Sequence, residues 1–161
     1  MNNINFKQMK KTTIIFLLTF LCCKSYGQNI EGIWQKDSPI VGSGYGQYYK
    51  FINKGEFEYH ASGYDGLARI RTIGGKYQIK KDSIYFTVEY MDECLGGNTI
   101  ERSWITTLND TWEIVDCESK RTYFEEKTTW AAGFKYNSSD TKNKFIEIDD
   151  WNKYYLVQED E

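Results

Sequence analysis

The sequence predicts an all-β fold made of short antiparallel strands. Glycine and Asn/Asp turn signals recur about every eight to fifteen residues, and apolar residues alternate with polar ones between them. No stretch repeats its apolar residues at helical spacing over three turns. No connection is long enough for the crossover helix that parallel strands need. These observations favour a sandwich or a closed barrel of about eight to ten strands.

Residues 1–27 have the features of a removable export signal. Lysines precede an apolar run from Thr12 to Cys23, which is shorter than the roughly 20 residues of a membrane span. We expect cleavage before Gln28, a periplasmic or extracellular protein, and no integral membrane span once the signal is removed. Lipid attachment at Cys22 or Cys23 is a second interpretation, although the residues before them match a lipobox poorly.

The charge of the remaining chain limits its partners. Residues 28–161 carry 16 basic and 23 acidic side chains, a formal balance of −7. Nucleic acids and anionic membranes attract basic surfaces, so neither is expected as a partner. The length suits one domain, with residues 128–161 as a less certain C-terminal extension.

The first strand begins at Gly32, and a glycine-rich loop follows at 39–46. Alternating residues at 49–52 and 56–61 predict a hairpin around Asn53-Lys54-Gly55. The glycine supplies the positive φ that a three-residue loop requires.

A strand is predicted over 68–79, with a bulge or bend at Gly74-Gly75 and a turn at Lys81-Asp82. The cleanest alternation follows at 84–90, and then a loop is predicted at 91–98. Further strands are expected at 99–108, 111–117 and 120–127, with a turn at Asn109-Asp110. Residues 130–136 suggest one helical turn, and 144–148 with 153–158 suggest a final hairpin.

Two cysteines, Cys94 and Cys117, follow the export segment. An oxidising compartment permits a disulfide between them, and closing such a loop would stabilise the fold by roughly 3 kcal/mol in the chain-entropy model. Reversal of a meander at each turn would place both at the same end of the sheet. With His60 as the only histidine, they do not form a zinc ligand set, and no metal or cofactor is expected.

A series of short motifs along 31–127 has a familiar order. The series is Gly32-x-Trp34, Tyr49-x-Phe51, Gly75-Lys76-Tyr77-x-Ile79, Asp82-Ser83-Ile84-Tyr85-Phe86, Ile105-x-x-Leu108-Asn109-Asp110, Trp112-x-Ile114 and Thr122-Tyr123-Phe124. This order resembles the small lipocalin-like domains of exported bacterial proteins, within the calycin group.

The resemblance implies an antiparallel, up-and-down lipocalin-like β-barrel with a central apolar cavity. It implies that Trp34 plugs the closed end of the barrel, with Arg121 as its arginine partner. It also places the glycine-rich loop 39–46 at the open end, as a lid over the cavity.

Aromatic side chains on one alternation face are the candidate cavity residues. They are Tyr49, Phe51, Phe57, Tyr59, Tyr77, Phe86, Tyr90, Trp104 and Trp112. Eight-stranded barrels lie between filled interiors and single-ligand cavities, so two functions are open. The first is binding of a small hydrophobic or amphipathic ligand inside the barrel. The alternative is an envelope inhibitor or immunity-type protein, with a filled barrel whose loops bind another protein.

No residue set predicts catalysis, and we expect the protein not to be an enzyme. His60 lies on the strand face opposite Phe57 and Tyr59, and we interpret it as solvent-facing, since a general base needs a nucleophile or an orienting acid beside it. No serine lies in a G-x-S-x-G elbow.

Overall fold

A computed structural model describes residues 29–42, 44–101, 112–139 and 143–158. The strands are β1 (Gly32–Lys36), β2 (Tyr48–Ile52), β3 (Glu56–His60), β4 (Ile70–Lys80), β5 (Ser83–Glu101), β6 (Trp112–Asn137), β7 (Phe145–Ile148) and β8 (Asn152–Gln158). The predicted signal at 1–27, the cysteines at 22 and 23, the turn at Asn109-Asp110 and Trp104 lie outside the described residues. No helix in the described part of the chain is long and apolar enough to cross a membrane.

The eight strands form one antiparallel, ring-like sheet. Each strand pairs with the next along the chain, and β1 closes the ring by pairing with β8 at Trp34 and Leu156. The prediction of an all-β antiparallel fold is therefore confirmed. Residues 128–137 of β6 and the strands β7 and β8, which lie beyond the resemblance, complete the ring.

Local turn chemistry positions the short hairpins as predicted. Asn53–Gly55 forms a single 3₁₀ turn between β2 and β3, and Gly55 has a φ of 75°. The final hairpin is also confirmed, because Phe145 of β7 pairs with Tyr155 of β8.

A bulge lies at the predicted glycine pair of β4. Gly74 pairs with Tyr90 and Gly75 pairs with Val88, so β5 advances two residues where β4 advances one. A Cβ atom on Gly75 would collide with the carbonyl oxygen of Thr87. The glycine therefore lets the two backbones approach closely where the sheet bends.

The predicted loop at 91–98 is wrong, because β5 continues unbroken from Ser83 to Glu101. Gly96 and Gly97 adopt φ values of 65° and 79°, yet the flanking pairs of the ladder persist. The prediction of separate strands at 111–117 and 120–127 is also wrong, because β6 is one continuous strand from Trp112 to Asn137. Composition alone does not distinguish a loop from a paired strand that contains glycines with positive φ.

The helical turn predicted at 130–136 is also wrong. These residues belong to β6, where Ala132 and Phe134 are buried while Gly133 and Lys135 are exposed. The even spacing of Trp130, Ala132, Phe134 and Tyr136 is the period of a strand, which places all four on one face.

A two-stranded extension leaves the ring, and we call it the arm. It comprises 94–101 of β5 and 112–119 of β6, beyond the last β4–β5 pair at Glu93. Two backbone hydrogen bonds join it to the loop before β4. The amide of Cys94 donates to the carbonyl of Arg69 at 2.8 Å, and the amide of Ile114 donates to that of Gly66 at 2.9 Å.

The core lies inside the ring and is mainly aromatic and β-branched. Its buried members are Ile30, Trp34, Tyr49, Phe51, Phe57, Ile84, Phe86, Ala132, Phe134, Ile146, Ile148 and Tyr154. Partly buried side chains of Tyr59, Tyr77 and Val88 pack against them. Burial of this apolar area supplies the main stabilisation of the ring.

Candidate functional site

Stacked aromatic rings pack against one another inside the ring, at positions that the sequence predicts to line a cavity. Tyr49, Phe51, Phe57 and Phe86 are all buried. The ring centroids of Phe57 and Phe86 lie 4.8 Å apart, and those of Tyr49 and Phe86 lie 5.4 Å apart. These are contact distances for aromatic pairs, so the four rings form one packed cluster inside the ring.

Two further candidates, Tyr59 and Tyr77, complete this cluster. Tyr77 packs edge-on against Phe51 at 4.8 Å, and burial, followed by the charge of Glu31, raises the pKa of Tyr77 to about 12. Burial is also the first cause that raises the pKa of Tyr49 and of Tyr154. The phenols are therefore neutral at physiological pH, as expected in surroundings that exclude water.

Other candidates lie elsewhere. Tyr90 faces outward, Trp112 lies on the arm with 46% of its surface exposed, and Trp104 is outside the described residues. Trp130 and Tyr154 join the aromatic cluster although the sequence analysis does not select them. The period-two spacing of Trp130 with Phe134 was the signal that could have identified the first of them.

The residues implied to close the sheet have different partners. Trp34 is buried, its indole Nε1 donates to the carbonyl of Ile30 at 2.7 Å, and its ring packs against Tyr136. Arg121 donates two hydrogen bonds of 2.7 Å to Asp92. The guanidinium of Arg121 therefore lies on the outer face of β5 and β6, whereas the indole of Trp34 lies in the core. The described contacts do not pair the two side chains.

A polar network on the outer face is the main feature that the sequence analysis missed. Cross-strand pairing aligns one row over five strands, namely Tyr48, His60, Thr72, Asp92 and Arg121. A neighbouring row comprises Glu58, Gly74, Tyr90 and Tyr123. The two rows place titratable and hydroxyl groups side by side.

His60 lies at the centre of this network with both ring nitrogens engaged. Its Nε2 lies 3.1 Å from Oε2 of Glu58, and its Nδ1 lies 3.3 Å from the hydroxyl of Thr72. Only 23% of the side chain is exposed, so the expectation of a solvent-facing histidine is incomplete. The signal was Glu58-x-His60, because residues two apart on a strand share a face.

Tyr90 links this part of the network to Arg121. Its hydroxyl donates to Glu58 at 2.8 Å, and the guanidinium of Arg121 lies 4.0 Å above its ring. Burial first, and then the hydrogen bond to Glu58, raise the pKa of Tyr90 to about 12. The hydrogen bonds from Arg121 are the first cause that lowers the pKa of Asp92.

A cleft of about 270 Å³ opens beside His60, and we call it the His60 cleft. Its lining residues are Tyr45, Tyr48, His60, Ala61, Ser62, Gly63, Arg71 and Thr72. The glycine-rich loop implied to be a lid contributes Tyr45, so this end of the loop borders an outer-face cleft. A second surface cleft of about 440 Å³ includes Lys76, Lys80 and Tyr85 in its lining.

The arm combines exposed apolar side chains with acidic ones. Leu95, Ile100 and Trp112 are 38%, 42% and 46% exposed. The arm residues include four acids, Glu101, Glu113, Asp116 and Glu118, and no lysine or arginine. Cys94 and Cys117 stand at disulfide distance across it, with Cα atoms 5.4 Å apart. They lie on adjacent, paired strands of the arm, and the sequence predicts both cysteines at the same end of the sheet.

No family model matches the chain, and neither does any curated protein or solved structure. The likeness to lipocalin-like domains therefore stays a prediction.

Proposed function

We propose that this is an exported, non-enzymatic protein that binds another protein through its arm. The ring, a lipocalin-like barrel in this proposal, is the scaffold that presents the arm. The observation that carries the proposal is the arm itself, where three large apolar side chains are exposed and residues 94–101 and 112–119 contribute four acids and no lysine or arginine.

The packed aromatic cluster inside the ring supports this function over transport of a ligand there. A carrier of drug-sized molecules needs a cavity of roughly 300 Å³ or more. Tyr49 instead has five aromatic neighbours within 6.4 Å between centroids. A hydrophobic ligand would have to displace rings that already pack against one another.

The chemistry of the arm indicates the kind of partner. Tryptophan is enriched among the residues that dominate binding energy, and Trp112 projects an apolar surface from a strand end. Acidic side chains around it would accelerate encounter with a basic surface. We therefore propose a basic protein with an apolar groove as the partner.

The arm is supported as a binding element. An isolated two-stranded hairpin is marginal in water. Here the Cys94–Cys117 pair lies across the strands, and Nη1 of Arg69 donates to the carbonyls of Cys94 and Gly96 at 3.1 and 2.9 Å. Support of this kind reduces the conformational entropy lost on binding.

Site-specific crosslinking in the producing cell tests the proposal. A photo-reactive amino acid at Trp112 should form an adduct with a basic protein. The double variant E101K/E118K should reduce that adduct by about tenfold or more. The matched control E125K/E126K makes the same change of net charge on exposed residues outside the arm and should retain the adduct.

Two outcomes would overturn the proposal. One is equal loss of the adduct in both double variants, which would reflect net charge alone. The other is a purified protein whose native mass includes a small molecule released on unfolding, with no adduct at position 112. That second outcome would favour the carrier function.

A further inference from the structure

The His60 cleft has an aromatic floor that is already in place. Tyr48 stacks on His60 with ring centroids 4.4 Å apart and planes 10° apart. Tyr45 tilts against Tyr48 at 5.1 Å. Because Glu58 and Thr72 engage both nitrogens of His60, the imidazole cannot rotate without losing a hydrogen bond.

Backbone and side-chain hydrogen bonds also hold the rim. The amide of Gly63 donates to the carbonyl of Tyr45 at 3.0 Å, and the hydroxyl of Tyr64 donates to the carbonyl of Gly44 at 2.8 Å. These bonds join the loop before β2 to the loop before β4. A ligand would therefore enter a largely formed cleft rather than order one.

Arg71 is the cation of this cleft. Its Nη1 reaches the carbonyl of Asp65 at 3.5 Å, the limit of a hydrogen bond. Within the described residues no carboxylate lies at ion-pair distance from it. A guanidinium has five N–H donors, and contacts at hydrogen-bond distance to described residues use one of its nitrogens, Nη1. Arg121 differs, because Asp92 already occupies its fork with two hydrogen bonds.

We infer that the His60 cleft binds a small carboxylate carried on a six-membered ring. The ring lies against Tyr45 and Tyr48, and the carboxylate accepts two hydrogen bonds from Arg71. A volume of about 270 Å³ suits a single ring. A monoanion matches the one arginine, whereas a phosphate dianion would add a second charge near the Glu58 carboxylate beside His60. Aromatic acids and sugar acids share this chemistry.

The test uses four probes on the purified protein. Benzoate and D-glucuronate carry the acid on an aromatic or a sugar ring, and benzamide and D-glucose are their neutral counterparts. Amide resonances of Ser62 and Gly63 are followed in ¹⁵N-labelled protein, so that binding is located without a variant. At least one acid should shift both resonances at millimolar concentration, and its neutral counterpart should bind about tenfold more weakly or worse.

Matched variants then separate this cleft from the second one. R71Q should weaken binding of the acid by about tenfold or more, while K80Q, in the lining of the other cleft, should leave it unchanged. If R71Q does not fold, Y45A provides the same comparison from the loop side. Binding of benzoate alone assigns an aromatic acid, and binding of glucuronate alone assigns a sugar acid.

The inference fails if neither acid, at about 10 mM, shifts the amide resonances of Ser62 and Gly63, because even a very weak ligand would bind at that concentration. It also fails if the neutral probes bind equally well, or if K80Q rather than R71Q removes binding. The crosslinking at Trp112 is independent of this cleft, so the two proposals can fail separately.

Discussion

The ring and the arm share two strands, β5 and β6, yet the two regions are stabilised differently. Within the ring, Ile84 and Phe86 of β5 are completely buried. Further along the same strand, Leu95 and Ile100 are more than one-third exposed. The ladder of β5 and β6 continues through both regions, so backbone pairing alone does not explain which region is stable.

The difference shows what a two-stranded segment needs in place of a core. The ring buries a cluster of aromatic side chains, whereas the arm relies on the cysteine pair and on the loop residues Gly66 and Arg69. A change in the core should therefore affect the whole molecule, while a change in the arm should act locally.

The largest expected effect is the loss of a core ring. F86A should lower the free energy of unfolding by about 3–5 kcal/mol, because it removes the ring that contacts Tyr49, Phe51 and Phe57. Urea unfolding followed by tryptophan fluorescence measures it. The control W112A, on the exposed arm, should stay within about 0.5 kcal/mol. Similar losses in both variants would contradict the division into ring and arm.

The cysteine pair should matter mainly to the arm. The double variant C94A/C117A should lower the free energy needed to open the arm by up to about 3 kcal/mol. Hydrogen exchange should show faster exchange at Ile114, with little change at Phe57 in β3. The wild-type protein should also have a mass two hydrogens below that of its reduced form. Uniform loss of protection in ring and arm would show that they unfold as one unit.

An intermediate effect is expected where β4 and β5 approach. G75A should destabilise the ring by about 1–3 kcal/mol, because the added methyl group would collide with the carbonyl of Thr87. G44A is the control, since an added Cβ there would have no atom within 4 Å. Thermal unfolding of both variants measures the difference. An unchanged melting temperature for G75A would show that the bulge adjusts freely.

The smallest effect concerns the ion pair at the junction of ring and arm. The folded pKa of Asp92 is lowered, chiefly by hydrogen bonds from Arg121. Its stabilisation is therefore present above the unfolded pKa, near 3.9, and is lost as pH falls through the lower folded pKa. Because the Asp92–Arg121 pair is partly exposed, we expect it to stabilise the folded protein by about 1 kcal/mol or less.

Unfolding of wild type and D92N at pH 7 and pH 2 checks this dependence. The wild type should be more stable than D92N at pH 7, and the difference in free energy of unfolding between the two proteins should be smaller at pH 2. A constant difference between the two proteins at both pH values would contradict the linkage.

Most of the fold was predictable because alternation and turn chemistry are local. Phe51 and Phe57 were identified correctly as sharing a face from a hairpin whose turn glycine has the required φ. Prediction failed at Gly96 and Gly97, where the backbone adopts loop-like φ values while the ladder continues on both sides.

The outer-face site was harder to predict because it depends on register. Tyr90 has the same parity as Phe86, so alternation assigned both to the interior. Because β5 gains one residue against β4 between Val88 and Tyr90, Tyr90 lies opposite Gly74 on the outer face instead. A bulge of this kind reverses every later assignment on the strand.

The sequence by itself determined the strand class, the short turns and the apolar face of each regular strand, since these follow from residues a few positions apart. Only the tertiary structure decided that the aromatic rings pack together inside the ring, that β5 and β6 extend into an arm, and that His60 lies between Glu58 and Thr72. These features depend on which strands pair and in what register. That choice minimises the free energy of the whole sheet, and no short segment encodes it.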